Sequence, residues 1–321
     1  LSCLSNLRGD IMVKFLWGLI KAARPRQWIK NFAVFAALIL SGTLLDPTNQ
    51  IKTLEAFLLF CIFSSATYLL NDVFDIERDK LHPFKKKRPL ASGLIPIPTA
   101  VGLSLFSIVI FLPIAYQLSP AFFFASLAYL ILHLFYSAFL KQIILLDVLV
   151  IAAGFVLRVY GGVWVIDAHL NVWFLLSITS FALFLAIGKR RSERTLMEGQ
   201  ASAHRATLLH YPESLLDSLT SMFATSAWLT YAFFAFLQPP IQARQVINNL
   251  LGGFELPFTE AKYLMATVPI VIYAVMRYLY IIYEKKEGES PERVLLSDQP
   301  MLISVVLWLV MVIGIIYYLG A

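Results

Sequence analysis

Four side chains that bind metals or phosphates stand together at the end of an apolar run: Asn71, Asp72, Asp75 and Asp79, in the stretch NDVFDIERD. On a helix the three aspartates are spaced i, i+3 and i+7, which puts them on one face with Asn71 at its edge. Three carboxylates on one face at a membrane boundary repel one another and lose hydration. A divalent cation removes both penalties. A ligand set made of oxygens suits Mg2+, which keeps several waters and bridges to phosphate groups. The duller reading is a solvated helix end whose acids pair with Lys80 and Lys85.

A basic run follows at once: Lys85, Lys86, Lys87 and Arg88. Each lysine alone reads as an anchor on the positively charged side of a membrane. Beside the acids, the run suggests an anion held partly by metal and partly by cations, with Arg88, fixed between Lys87 and Pro89, the best single candidate. A second charged stretch, GKRRSER, places Lys189 with Glu193 and Arg190 with Arg194 four residues apart on two faces of a helix extension; a cationic collar is its plainer reading. The segment KAARPRQWIKN points Arg24, Arg26 and Lys30 toward the same surface, with Trp28 as an interfacial anchor. Arg158 interrupts an apolar run, and an arginine within a membrane is a functional hypothesis by default. Its structural alternative is a pair with Asp147 on the same helix. The five histidines (His82, His133, His169, His204 and His210) show no metal-ligand spacing, and His133 reads as a hydrogen-bonded bundle residue. No glycine-rich phosphate loop or nucleophile elbow occurs.

What positions these groups follows from composition. The chain has 321 residues, of which 59% are hydrophobic and 14% charged. A soluble domain carries about 25% charged residues, so this chain cannot cover a water-facing surface and must be a polytopic membrane protein. Stretches long enough to span, roughly 20 apolar residues, give nine candidates: 27–45, 52–73, 98–117, 120–140, 143–165, 170–188, 214–237, 263–283 and 300–320. Asp46-Pro47, Pro96 to Pro98, Ser119-Pro120, Gly161-Gly162, Pro239-Pro240 and Gly288 to Pro291 mark the breaks. The expected fold is an all-α membrane protein, about nine transmembrane helices in one bundle. It forms a single polytopic membrane domain over 1–321, with a tail at 1–22 and active-site loops at 74–97 and 189–213. Of the 26 lysines and arginines, 22 fall on the side of the N-terminus, which is therefore cytoplasmic. That puts the candidate site on the cytoplasmic face of a multi-pass protein of the inner cell membrane. The +6 net charge belongs to this topology and calls for no nucleic acid. Cys3 and Cys61 read as free thiols.

Taken jointly, several stretches carry a resemblance over nearly the whole chain. These are ARPRQWIKN (23–31), NDVFDIERDKLHPFKKKRPLASG (71–93), VLRVYGG (156–162), WFLL (173–176), GKRRSE (188–193), MRY (276–278) and the PExxxLxD pattern at Pro291, Glu292, Leu296 and Asp298. They resemble the UbiA-type intramembrane prenyltransferase superfamily. Most of its members carry a second aspartate-rich motif after span six, whereas here KRRSE stands at 189–193 and none of the nine aspartates forms a second DxxxD. That departure is similar to the branch that moves phosphoribose onto a polyprenyl phosphate, the decaprenyl-phosphate phosphoribosyltransferases.

The resemblance implies an Mg2+-dependent transferase with phosphoribosyl pyrophosphate and a polyprenyl phosphate lipid as its partners, working at the bilayer. It implies Asp72, Asp75 and Asp79 as metal ligands, Asn71 on a ribose or phosphate oxygen, and Lys30, Arg88, Lys189 and Arg190 on the phosphates. Lys85 and Arg158 join them as substrate-binding candidates, and Glu193 would bind a ribose hydroxyl or orient Lys189. The alternatives are a prenyltransferase acting on an aromatic or lipid acceptor and, further off, a cation-coupled transporter.

Overall fold

A computed structural model describes residues 2–81, 85–169, 171–197, 211–239, 262–285 and 291–319. Outside them lie His82, His204, His210, Arg205, Arg244 and Lys286, the breaks at Pro240 and Gly288, and residues 198–210 of the second expected loop. Among the described residues the chain is helical throughout and carries eight helices long and apolar enough to cross a membrane. The helices are α1 (Ser2–Ala23), α2 (Phe35–Leu40), α3 (Pro47–Phe74), α4 (Ile76–Leu81), α5 (Ile97–Leu118), α6 (Pro120–Ala138), α7 (Leu146–Val165), α8 (Val172–Met197), α9 (Glu213–Leu237), α10 (Val268–Tyr280), α11 (Pro291–Ser297) and α12 (Gln299–Ile313).

Two of the expected breaks coincide with caps. Asp46 accepts a hydrogen bond from Thr48 N (2.9 Å) with Pro47 at the first helical position of α3. Ser119 does the same for α6, ahead of Pro120. A cap oxygen satisfies an orphan N–H, and proline loses nothing where no partner was available. Helices α3 and α7 lie at the centre. Helix α5 and the span Gln299–Leu319 are mostly unburied, so Phe106, Val109, Ile303 and Val310 turn outward. In a bilayer such a face contacts lipid tails rather than water.

From Ser2 onward the expected tail is helical: it forms α1, whose Phe15, Leu19 and Ala22 pack with Leu69, Leu90 and Ile95. Two expectations are corrected. The first expected span, 27–45, is no continuous helix: Pro25–Val34 winds as a 3-10 helix before the short α2. Gly161-Gly162 is no break either. It lies inside α7, where a Cβ on Gly162 would stand 2.0 Å from Val34 O and one on Gly161 would stand 2.5 Å from the Phe60 ring. Only glycine lets the Pro25–Val34 backbone approach so closely.

Candidate active site

A 3-10 helix has three residues per turn, so side chains at i and i+3 eclipse. In Pro25–Val34 this sorts the sequence into rows. Arg24, Gln27 and Lys30 form one, headed by Arg24, whose left-handed backbone (φ 53°) is uncommon for a residue with a side chain. Trp28, Asn31 and Val34 form another, which fastens the segment to the bundle. Trp28 donates to Ser65 Oγ (3.0 Å), Asn31 donates to Ser64 Oγ (3.2 Å), and Val34 meets Gly162. An α-helix would have fanned each row over about a third of its circumference.

The first row looks onto the acids. Arg24 bonds Asp72, and Arg88 NH1 reaches Asp72 Oδ1 (3.1 Å) and Asp79 Oδ2 (2.6 Å). Helix α3 ends at Asp75 (φ −96°, ψ 0°) before α4 begins, so the three aspartates do not share one face as expected. Asp72 and Asp79 converge on Arg88, while Asp75 turns aside to Lys141 Nζ (2.7 Å) and Asn71 Nδ2 (3.2 Å). Lys141 also donates to Asn71 Oδ1 (3.3 Å) and is buried. Its sequence signal, a lone lysine after span four, served only to orient the chain. Lys80, one of the partners in the solvated-end alternative, pairs instead with Glu77, at 2.9 Å. Lys85 opens a short 3-10 turn, Lys85–Lys87, and is half-buried.

The fit to a divalent cation turns on oxygens. Arg24, Arg88, Lys141 and Asn71 occupy Asp72 Oδ1, Asp79 Oδ2 and both oxygens of Asp75. Asp72 Oδ2 and Asp79 Oδ1 take no hydrogen bond among the described residues, and no three acids among those residues converge on a point that would hold a bare ion. Hard carboxylate oxygens with part of their valence open suit Mg2+ that arrives with phosphate and water ligands of its own.

Lys30, at the end of the same row, stands 3.5 Å from Glu292 Oε2, and Gln27 bonds Glu292 Oε1. Burial raises the Glu292 carboxyl, but Lys30, the backbone and Gln27 outweigh it and hold it below the usual carboxylate range. Glu292 figured in the sequence only as part of the PExxxLxD pattern. From α8, Lys189 Nζ lies 3.8 Å from Glu193 Oε1. Arg190 is buried: its Nε donates to Asp147 Oδ2 (2.7 Å), NH1 to Glu193 Oε2 (2.6 Å) and NH2 to Tyr136 OH (3.4 Å). Tyr211 OH donates to Asp147 Oδ1 (2.7 Å), and burial with that carboxylate neighbour pushes its phenol well above the ordinary value.

Asp147 is thus Arg190's partner, not Arg158's. Arg158 is buried among neutral acceptors: Nε to Asn31 Oδ1 (2.7 Å), NH1 to Gly154 O (2.8 Å) and NH2 to Tyr129 OH (2.9 Å). His133 stacks at 4.2 Å on Tyr129, and its buried Nε2 has no hydrogen-bond partner among the described residues, contrary to expectation.

The family model described as the UbiA prenyltransferase family matches residues 31–306. A decaprenyl-phosphate phosphoribosyltransferase of Mycolicibacterium smegmatis is 34% identical, covering 94% of this chain and 93% of its own. One of Corynebacterium glutamicum is 31% identical, over 94% and 87%. Among solved structures, a UbiA homologue from Archaeoglobus fulgidus bound to GPP and Mg2+ is similar with a TM-score of 0.65 at 19% identity, over 93% of this chain and 99% of that one.

Proposed function

Because the chain belongs to the UbiA prenyltransferase family, we infer that it is a multi-pass membrane transferase that moves the 5-phosphoribosyl group of phosphoribosyl pyrophosphate onto a polyprenyl phosphate of decaprenyl type, releasing pyrophosphate. The full-length likeness to two phosphoribosyltransferases supports this reading. The observation that carries it is the bridging of Asp72 and Asp79 by Arg88, beside a row of side chains leading to Lys30. A donor with a pyrophosphate and a separate 5-phosphate needs both acids for a metal and cations for phosphate, within reach of one another.

Asp72 and Asp79 would hold Mg2+ through their open oxygens, and Asp75 would join them once released by Lys141 or Asn71; the ion would neutralise charge on the leaving pyrophosphate. Arg88 and Arg24 exchange carboxylate for phosphate oxygens when the donor arrives. Lys141 holds Asp75 and Asn71 in place, and Asn71 presents its amide to the ribose or a phosphate oxygen. Lys189 faces the donor's remaining phosphate, with Glu193 orienting Lys189, and Lys30 faces the phosphate of the acceptor. Arg190, engaged by Asp147, Tyr136 and Glu193, acts by holding Glu193. Arg158 pins Asn31 and adds positive charge behind the site.

The acceptor's phosphate oxygen attacks the anomeric carbon as the bond to pyrophosphate breaks. The nucleophile is already an anion, so no general base is required and the anomeric carbon inverts. Rate comes from positioning and from charge stabilisation of the leaving group. We place the site on the cytoplasmic side of the inner membrane, as the distribution of lysine and arginine directs.

Purified protein with Mg2+, labelled phosphoribosyl pyrophosphate and a polyprenyl phosphate should yield lipid-extractable label. Turnover of a prenyl diphosphate with an aromatic acceptor, and none with phosphoribosyl pyrophosphate, would instead establish the second reading that the family admits.

A further inference from the structure

A cavity of about 430 Å3 lies between Pro25–Val34, α7, α8, α10, α11 and α12. Its walls are almost wholly apolar, with Phe155, Ile178, Phe181, Val271 and Trp308 among them. Lys30, Glu292 and Tyr278 are polar groups in that lining, and the lysine stands 3.5 Å from the carboxylate. Two of their atoms are anomalous. Tyr278 OH is buried without a hydrogen-bond partner among the described residues, and Glu292 Oε2, also buried, has only the long 3.5 Å ion pair with Lys30. A buried polar atom left unpaired is costly, and persists where a ligand completes it.

The three groups define what they would complete. The Lys30 ammonium and the Tyr278 hydroxyl have hydrogens to donate, which calls for anionic oxygens. Glu292 Oε2 can only accept, which calls for one O–H on the same ligand. A phosphate monoester in its singly protonated form offers both, and the apolar walls call for a hydrocarbon attached to it. A diphosphate in the same place would press a second negative charge against Glu292, and an alcohol would leave Lys30 unanswered.

We propose that Lys30, Tyr278 and Glu292 form a seat for the acceptor lipid's headgroup, in which Glu292 is the specificity-determining residue that favours a lipid monophosphate over the corresponding diphosphate. This rests on the phosphoribosyl-transfer reading. Gln27 contributes by holding the other oxygen of Glu292, so that Oε2 stays directed at the ligand.

The test measures binding to the full-length protein in nanodiscs by quenching of tryptophan fluorescence, Trp308 lining the cavity. The probes are polyprenyl monophosphate, polyprenyl diphosphate, polyprenol and inorganic phosphate, against wild type, Glu292→Gln and Tyr278→Phe. A hydrogen bond to a charged group is worth at least about tenfold in affinity. Wild type should therefore prefer the monophosphate to both other lipids by about tenfold or more. Glu292→Gln should erase the preference over diphosphate while keeping that over polyprenol. Tyr278→Phe should weaken both phosphorylated lipids and leave polyprenol unchanged. Inorganic phosphate alone should bind weakly, and a tight site for it would reassign the seat to the donor's 5-phosphate and overturn the proposal. So would a preference for monophosphate that Glu292→Gln leaves untouched. If Glu292→Gln lowers the melting temperature, Gln27→Ala, which frees the other oxygen of Glu292, takes its place and should reduce the preference for monophosphate over diphosphate; an undiminished preference would overturn the proposal. Failure of the seat and failure of the reaction separate cleanly. Label transfer with no role for Glu292 in lipid choice removes the seat only, whereas lipid discrimination governed by Glu292 with no phosphoribosyl transfer removes the donor only.

Discussion

Asp72 and Arg190 occupy comparable places, each at the end of a long apolar helix, each beside charges of both signs. Around Asp72, the partners Arg24 and Arg88 are 24% and 28% exposed, so water reaches the guanidinium groups and either can be exchanged for a ligand's oxygens. Around Arg190 no such exchange is available: Arg190 and Asp147 are each about 2% exposed and close a network with Tyr136, Tyr211 and Glu193. The charges are alike and the uses differ. A cluster whose acids are buried but whose cations stay wet can trade partners, whereas one that is dry and saturated holds helices in register. On this account α7, α8 and the residue Tyr211 frame the site, and the acids of α3 and α4 work in it.

The contrast is broken most severely at the dry cluster. Asp147→Ala leaves Arg190 short of a buried partner, which typically costs about 3–5 kcal/mol. Unfolding of the purified protein in detergent should show that loss, and an unchanged melting curve would mean the network is not structural. Asp72→Asn should instead lower transfer by about 10²–10³, the scale of removing one preorganised electrostatic group, with melting unchanged. Arg88→Lys keeps the charge but gives up the planar fork, so KM for phosphoribosyl pyrophosphate should rise about tenfold and kcat should fall less.

A pH effect sharpens the comparison at a third cluster. Asp298 accepts from Arg277 (2.8 Å) and Lys285 (2.9 Å), caps α12 at Met301 N, and is held well below the usual carboxylate range by Arg277 first, against the opposing effect of burial. A depressed folded-state value means the stabilisation is present above the ordinary carboxylate pKa, about 3.9, and is lost as pH falls below it toward the folded value. The melting temperature of wild type should drop steeply below about pH 4, and Asp298→Asn should lack that part of the drop. The smallest effect belongs to the exposed pair Glu77–Lys80, where Lys80→Ala should change stability by no more than about 0.5 kcal/mol.

The all-helical membrane fold was readable because apolar runs of span length leave little choice, and the proline-led caps at Asp46 and Ser119 fixed where helices begin. The acidic cluster was readable from Asn71 to Arg88 because its members lie within one short stretch. What spacing could not convey was the winding of Pro25–Val34. Its residues suit an α-helix as well as a 3-10 helix, and the close contact of Val34 with Gly162, far along the chain, selects the tighter winding. The row of Arg24, Gln27 and Lys30 is straight only in that winding. Lys141 and Glu292 were missed for a related reason: each meets its partner across the bundle, 66 residues away at Asp75 and 262 away at Lys30, where no local pattern reaches. Arg158 carried a clear signal of cost but none of its partners, since neutral acceptors such as Asn31 and Tyr129 leave no charge pattern to follow.

The most direct test is single-turnover transfer of labelled phosphoribose to polyprenyl phosphate, expressed per folded molecule, for wild type, Asp72→Asn and Asp147→Ala. The account predicts that Asp72→Asn folds normally and transfers almost nothing, while Asp147→Ala melts early and the folded fraction transfers at close to the wild-type rate. The reverse pattern, with transfer surviving at Asp72→Asn and abolished in well-folded Asp147→Ala, would contradict it and move the chemistry to the buried arginine.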